Sequence, residues 1–118
     1  MSKRKDIDLV RDIKESMERI VSYTRNFKYE EFSRDYKTQD AVIRNIEIMG
    51  EAVKALSKEI KEDNSDIPWK NISGTRDKLI HDYFGVNIDI VWSILKDEVP
   101  DLFLRIVDIL KDLERGNG

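Results

Sequence analysis

The residues best suited to chemistry lie in one short stretch, from Arg76 to Tyr83. It contains His81, the single histidine among 118 residues, five positions after Arg76 and two before Tyr83. The chain has no cysteine, so its sequence offers neither a thiol nucleophile nor a thiolate metal ligand. Because imidazole titrates near neutral pH, His81 is the group expected to perform any proton transfer.

These three residue types suit cleavage of an RNA phosphodiester. The 2′-hydroxyl must lose a proton and the leaving 5′-oxygen must gain one, and imidazole serves both transfers. The Arg76 guanidinium would supply paired donors for the charge that develops on the phosphate oxygens. The Tyr83 hydroxyl would donate to the phosphate or hold His81, or its ring would stack on a base. A structural role is the alternative, because a histidine near a helix end is commonly a capping residue.

The spacing of Arg76 and His81 restricts how they can meet. Five residues of straight helix rotate by about 500°, which leaves the two side chains about 140° apart. They converge only if the helix ends near His81, or if a second copy of the chain supplies one of them across a two-fold axis. A working site therefore predicts a helix end, and favours a dimer interface.

Composition predicts a single cytoplasmic domain, residues 1–118, with flexible ends near 1–5 and 115–118. No apolar run approaches the roughly 20 residues that cross a bilayer. The basic start is followed by Asp6-Ile7-Asp8 instead of an apolar signal core. The net charge of −3 argues against a bulk nucleic-acid coat, so any RNA contact must be local. No metal or cofactor is expected, since only carboxylates could complete a site around one histidine.

The hydrophobic pattern predicts an all-α bundle of about five helices. The predicted helical segments are Asp6 to Thr24, a short piece within Phe27 to Tyr36, Thr38 to Glu62, Pro68 towards Phe84 with a break near Ser73-Gly74, a helix capped by Asn87 that runs through Leu95, and a last one opened by Pro100.

The second long helix has two ordered faces. Its apolar seam steps by four and three residues, through Val42, Ile46, Met49, Val53, Leu56 and Ile60. A polar stripe lies on the opposite face, at Asp40, Arg44, Glu47, Glu51 and Lys54. The stripe is either a solvated face with ion pairs or a polar support for a cleft or partner subunit. Gly50 favours the second reading, because close approach of another backbone would explain a mid-helix glycine that costs about 1 kcal/mol.

Several motifs together resemble the HEPN superfamily. Arg76, four further residues, then His81-Asp82-Tyr83 resembles its R-x4-6-H-x-Y signature. The block from Ala41 to Ala52 resembles that superfamily's second helix. The other matching motifs follow in the expected order: Ile67-Pro68-Trp69, Phe84-Gly85-Val86 and Val91-Trp92. The resemblance extends from about Ile7 to Leu113 and is greatest to the HepT-like toxins (the DUF86 family).

This resemblance implies a HEPN-type homodimer with the motif at the subunit cleft. The implied activity is that of a toxin, a metal-independent endoribonuclease and thus an RNA hydrolase. Arg76 and His81 would be its catalytic residues and Tyr83 the third motif residue. The residues implied to support the cleft are Arg44, Glu47, Glu51 and Asp77.

The same resemblance implies a partner. HepT-like toxins pair with a minimal, MntA-like nucleotidyltransferase antitoxin in a type VII toxin–antitoxin system, with larger hetero-oligomers expected. The antitoxin would transfer AMP from ATP to Tyr83, placing bulk and negative charge in the cleft. The alternative is a non-catalytic HEPN interaction module that partners such a nucleotidyltransferase.

Overall fold

The computed structural model describes residues 5–75, 79 and 87–117, and in these ranges the chain is helical with no strand. The prediction of an all-α bundle is confirmed. The helices are α1 (Asp6–Tyr23), α2 (Tyr29–Arg34), α3 (Tyr36–Ala55), α4 (Lys58–Asp63), α5 (Trp69–Ser73), α6 (Ile88–Ser93) and α7 (Val99–Asp112).

The core forms where α1 lies antiparallel to both α3 and α7. Asp6 at the start of α1 binds Ser57, just beyond the end of α3, and Arg11 pairs with Glu114, just beyond α7. One face of α1 is buried, at Leu9, Val10, Ile13, Met17 and Ile20. All residues of the predicted apolar seam on and after α3 are buried, so that prediction is confirmed.

The prediction of one helix from Thr38 to Glu62 is wrong, because the chain leaves the helix at Leu56. Leu56 is extended, and Ser57 starts α4 by accepting a hydrogen bond from the Ile60 N–H at 3.2 Å. The Ser57 hydroxyl donates to Asp6 Oδ2 at 2.6 Å and its N–H donates to Asp6 Oδ1 at 2.9 Å. A tertiary contact and an N-cap together outweigh the continuous apolar period.

The prediction that Pro100 opens the last helix is confirmed to within one residue, since α7 begins at Val99 with Pro100 in its first turn. The chain stays helical from α6 into α7, through a π-helical turn over Ile94–Glu98. Proline lacks an N–H and its ring crowds the carbonyl four residues earlier, so a widened turn next to Pro100 relieves both problems. The predicted N-cap at Asn87 is confirmed, since its side chain accepts from the Ile90 N–H at 3.2 Å.

The shorter predictions agree with the structure where it describes them. α1 ends at Tyr23, and α2 occupies the predicted aromatic piece. α5 ends at Ser73, next to a turn at Gly74. The predicted helix beyond Thr75 lies outside the described residues, apart from Leu79. Among the helices that the structure describes, none is both long and apolar enough to cross a membrane.

Candidate active site

Four predicted site residues lie outside the described residues, namely Arg76, Asp77, His81 and Tyr83. The candidate site is therefore built from the elements that hold this motif segment, residues 76–86, at its two ends. The roles of these four residues stay predictions.

The approach to the segment is anchored before α5 begins. The Trp69 indole N–H donates to the carbonyls of Asn64 at 3.1 Å and Lys61 at 3.3 Å. Arg105 of α7 forms an ion pair with Asp66 and donates to Asn64 Oδ1 at 3.5 Å. The hydrogen bond from this guanidinium lowers the pKa of the Asp66 carboxyl. The loop before α5 is thus tied to both α4 and α7.

Two buried residues lie close to the motif residues in the sequence. Thr75, directly before Arg76, is 7% exposed, and its hydroxyl donates to the Asn71 carbonyl at 2.8 Å. Leu79, two positions before His81, is 1% exposed. The core therefore holds the chain one position before Arg76 and two positions before His81.

Gly50 lets α5 lie directly against α3. A Cβ added there would be 3.5 Å from the Ser73 carbonyl oxygen and 3.6 Å from that of Ile72. The predicted close approach of another backbone is confirmed, and the neighbour belongs to the same chain. Gly50 thus helps to place the helix that leads into the motif segment.

The residues of the polar stripe on α3 differ in how exposed their side chains are. Glu51 and Lys54 pair at 3.5 Å, with side chains 69% and 58% exposed, as a solvated face would. Arg44 is 71% exposed, whereas its partner Glu47, 4.0 Å away, is 24% exposed. Within one chain, Glu47 is the member of these pairs that the protein partly encloses.

Sequence reasoning missed Asn45, which is buried beside this stripe. Asn45 is 5% exposed, and its Nδ2 donates to the Ala41 carbonyl at 2.9 Å. Its Oδ1 has no hydrogen-bond partner among the described residues. A buried acceptor left unpaired costs about 1–3 kcal/mol, which suggests a reason other than packing. The signal in the sequence was an amide between two apolar seam positions, Val42 and Ile46.

The helix that follows the motif segment, α6, is held by packing against α2. The Tyr29 hydroxyl donates to Asp89, and that hydrogen bond raises the pKa of Tyr29. The Trp92 ring lies 5.8 Å from that of Tyr29, edge to face, and 5.3 Å from that of Phe32. α6 therefore begins, at Asn87, from a fixed position against α2.

Comparison with known proteins agrees with this architecture. Residues 13–109 match the family model described as "Ribonuclease HepT-like". This range includes the anchors at both ends and the whole motif segment. The chain belongs to the HepT-like ribonuclease family. The resemblance drawn from its motifs is confirmed.

Individual relatives support the assignment of the chain to this family. It is 45% identical over 103 residues to "Putative RNase MJ0127" of Methanocaldococcus jannaschii, which covers 87% of this chain and 85% of the relative. It is 44% identical over 100 residues to "Probable ribonuclease HepT" of Thermococcus cleftensis, covering 85% and 91%. It is 42% identical over 99 residues to "Putative RNase TTE0752" of Caldanaerobacter subterraneus, covering 84% and 88%. No solved structure matches the chain significantly.

Proposed function

We propose that this HepT-like chain is the RNA-cleaving toxin of a toxin–antitoxin pair. The proposal rests on one observation: a member of the HepT-like ribonuclease family has Arg76, His81 and Tyr83 together at the spacing of the HEPN signature. A protein that only bound a partner would not need this combination of cation, proton carrier and phenol.

The proposed reaction is an internal transfer at phosphorus. The 2′-oxygen of the RNA forms a bond to the phosphorus, and the bond from phosphorus to the 5′-oxygen breaks. This yields a 2′,3′-cyclic phosphate and a 5′-hydroxyl. His81 accepts the 2′-hydroxyl proton or donates a proton to the leaving oxygen, and Arg76 stabilises the charge on the phosphate oxygens. In a homodimer, both motifs would lie at the subunit cleft, so that one chain supplies Arg76 and the other supplies His81 of a site, and water exchanges the second proton.

We further propose that an MntA-like nucleotidyltransferase inactivates the toxin at Tyr83. The phenol oxygen would attack the α-phosphorus of ATP, forming a Tyr–AMP phosphodiester as the bond to the β-phosphate breaks and pyrophosphate leaves. The phenol proton passes to solvent or to a base of the antitoxin. The added phosphate would repel the phosphates of RNA, and the nucleoside would occupy the space that RNA needs.

Cleavage assays in excess EDTA test the proposed nuclease. Wild type should cleave a labelled RNA to products with 2′,3′-cyclic phosphate ends, and His81→Ala and Arg76→Ala should each lose at least about 100-fold in rate. Arg11→Ala is the matched control, since Arg11 is an exposed arginine in the ion pair with Glu114. Equal rates for wild type and His81→Ala would refute the proposal, and would favour the non-catalytic module.

Intact-mass measurement tests the proposed modification. After incubation with the antitoxin, ATP and Mg²⁺, the wild-type mass should rise by whole AMP units and its RNA cleavage should stop. Tyr83→Phe should not gain mass. Tyr29→Phe is the control, because it removes one phenol hydroxyl elsewhere, on α2. A mass gain retained in Tyr83→Phe would place the modification on another residue.

A further inference from the structure

One end of the bundle carries exposed cations and tyrosines in an otherwise acidic chain. The stretch 23–37 leaves α1, forms α2 and enters α3. We propose that its exposed residues bind single-stranded RNA and guide the strand to the motif segment. These residues, the basic–aromatic corner, are Tyr23, Arg25, Lys28, Arg34, Tyr36 and Lys37. The inference rests on the proposed function, because it concerns the substrate of that site.

The arginines of the corner differ from other arginines in the described part of the chain. Those outside the corner all lie within 4.0 Å of a carboxylate, at positions Arg11, Arg19, Arg44, Arg105 and Arg115. Arg25 and Arg34 have no such partner there, and the Arg34 Nε donates to the backbone carbonyl of Glu30 at 3.1 Å. Two guanidinium groups are therefore left with their charge uncompensated, as phosphate binding requires.

Two acidic side chains of the same stretch accept hydrogen bonds from backbone N–H groups at the starts of helices. Glu31 accepts from the Lys28 N–H at 3.1 Å, at the start of α2. Asp35 accepts from the Thr38 N–H at 3.0 Å, at the start of α3, and this hydrogen bond lowers its pKa. The positive helix ends offset part of their negative charge, and the stretch has four cations against three carboxylates, Glu30 being the third. A chain with a net charge of −3 can thus present a locally positive surface.

The corner also offers aromatic faces on a fixed backbone. Tyr36 is 74% exposed and Tyr23 is 40% exposed. Between them, buried Thr24 donates its hydroxyl to the Ile20 carbonyl at 2.8 Å, and Asn26 holds the turn with a φ of 65°. Exposed phenol rings stack on unpaired bases, and interleaved cations follow the phosphates of a single strand. A duplex offers no free base faces, so this combination favours single-stranded RNA.

The corner adjoins the start of α6, the first described element after the motif segment. Tyr29 of α2 contacts Asp89 and Trp92 of α6, and α6 begins directly after Asn87. In the sequence, Tyr83 precedes Asn87 by four residues. A strand bound on the corner would therefore extend towards the start of α6, which closely follows the predicted catalytic residues in the sequence.

Binding measured in a His81→Ala background separates this inference from cleavage. The probe is a 5′-labelled single-stranded RNA of about 12 nucleotides, followed by fluorescence anisotropy without added metal. Adding Arg25→Gln and Arg34→Gln together should weaken binding about 25-fold at about 0.1 M salt, since each lost phosphate contact removes about 0.7 from the salt-dependence slope. Tyr36→Ala should weaken binding about fivefold or more, and Tyr36→Phe should bind normally.

The matched control changes two arginines at the opposite end of the bundle. Arg11→Gln with Arg115→Gln removes the same charge, and Arg11 lies about 18 Å along α1 from Tyr23. If both double variants weaken binding equally, the effect is one of net charge and the inference is overturned. It is also overturned if the corner variants bind RNA normally but lose a protein partner, or if a duplex of the same sequence binds as tightly as the single strand.

The two proposals can fail independently in these experiments. RNA that binds through the corner but is never cleaved would refute the nuclease and leave the corner in place. Cleavage with a KM that the corner variants do not change would do the reverse.

Discussion

Gly50 and Asn45 are both buried on α3, and they differ in whether the structure shows what contacts them. At Gly50 the neighbour is present: the α5 backbone lies at ordinary contact distance from the place of a Cβ. At Asn45 the described residues provide no partner for Oδ1. Both positions lie in the block that resembles the second helix of HEPN proteins. Through Gly50, this block contacts the helix that leads into the motif segment.

Replacement of Gly50 by alanine should stabilise the protein. The new methyl group would meet backbone atoms no closer than 3.5 Å, so it fits without displacing α5. Alanine in place of a mid-helix glycine should raise the free energy of unfolding by up to about 1 kcal/mol. Urea denaturation measures the change. Gly50→Leu is the opposite control, since its longer side chain would push α5 away. A loss of stability in Gly50→Ala would show that α5 lies too close to α3 to accommodate the new methyl group.

At the scale of the helices, side-chain hydrogen bonds decide where elements begin. Ser57 interrupts the apolar period of α3 and starts α4, while Asp35 and Asn87 cap α3 and α6. The caps at Asp35 and Ser57 lie at opposite ends of α3, and the cap at Asn87 follows the motif segment. The ends of these helices are therefore set by residues that the apolar pattern does not include.

Ser57→Ala should destabilise the bundle. It removes the N-cap of α4, which costs about 1 kcal/mol, and also the hydroxyl that donates to Asp6 Oδ2. Thermal unfolding should show a lower Tm. Ser65→Ala provides a control, because Ser65 is exposed and the structure shows no hydrogen bond from its side chain. Equal Tm values for the two variants would mean that α4 does not depend on this cap.

The ion pair between Arg105 and Asp66 predicts a dependence of stability on pH. Arg105 lowers the pKa of Asp66 from its ordinary value of 3.8, so the folded state favours the charged carboxylate. This stabilisation is complete above the ordinary value and is lost as the pH falls through the lower, folded value.

Comparison of wild type with Asp66→Asn measures this effect. The wild type should have the higher Tm at pH 7, and the difference should shrink as the pH falls below about 4. Asp63→Asn is the charge-matched control, since Asp63 forms no ion pair in the described chain. A Tm difference that is unchanged at low pH would show that the carboxylate charge is not what stabilises this contact.

At the scale of the whole molecule, the antiparallel core separates two ends. One end joins the start of α1 to Ser57 and to the end of α7. The other end holds α2, the start of α6 and the basic–aromatic corner. The motif segment follows α5, which packs near the C-terminal end of α3, and precedes Asn87 and α6, which packs on α2. Its two anchors therefore lie towards different ends of the molecule.

A mixing experiment tests whether each active site uses two chains. We expect a homodimer, with a mass twice that of the 13.9 kDa chain in light scattering. Arg76→Ala and His81→Ala should each be inactive. If one chain supplies the arginine and the other the histidine, a mixed dimer keeps one intact site, so co-expression should restore about a quarter of wild-type activity. No restored activity, with mixed dimers shown to form, would place both residues of a site in one chain.

Much of the fold was predictable because it depends on local patterns. The four-and-three spacing from Val42 to Ile60 identified buried positions correctly, even where the helix breaks. Asn87 was recognised as a cap because its side chain acts on its own helix. The break at Leu56 was missed because Ser57 depends on Asp6, which lies 51 residues away in the sequence. The π-helical turn that joins α6 to α7 was missed because a widened turn leaves no signature in composition.

The residue types of the candidate site stay a prediction from the sequence, whereas several of its surroundings were found only in the structure. The sequence by itself determined the family, the all-α class and the combination of Arg76, His81 and Tyr83, since these depend on residue identity and spacing. Only the tertiary structure decided that α5 packs against Gly50 and that Asn45 is buried. It also showed that, among the described residues, the Asn45 Oδ1 acceptor is unpaired and Arg25 and Arg34 have no carboxylate partner. The physical reason is that burial and charge pairing arise between segments that are distant in the chain. Residue spacing does not show which of these segments come into contact.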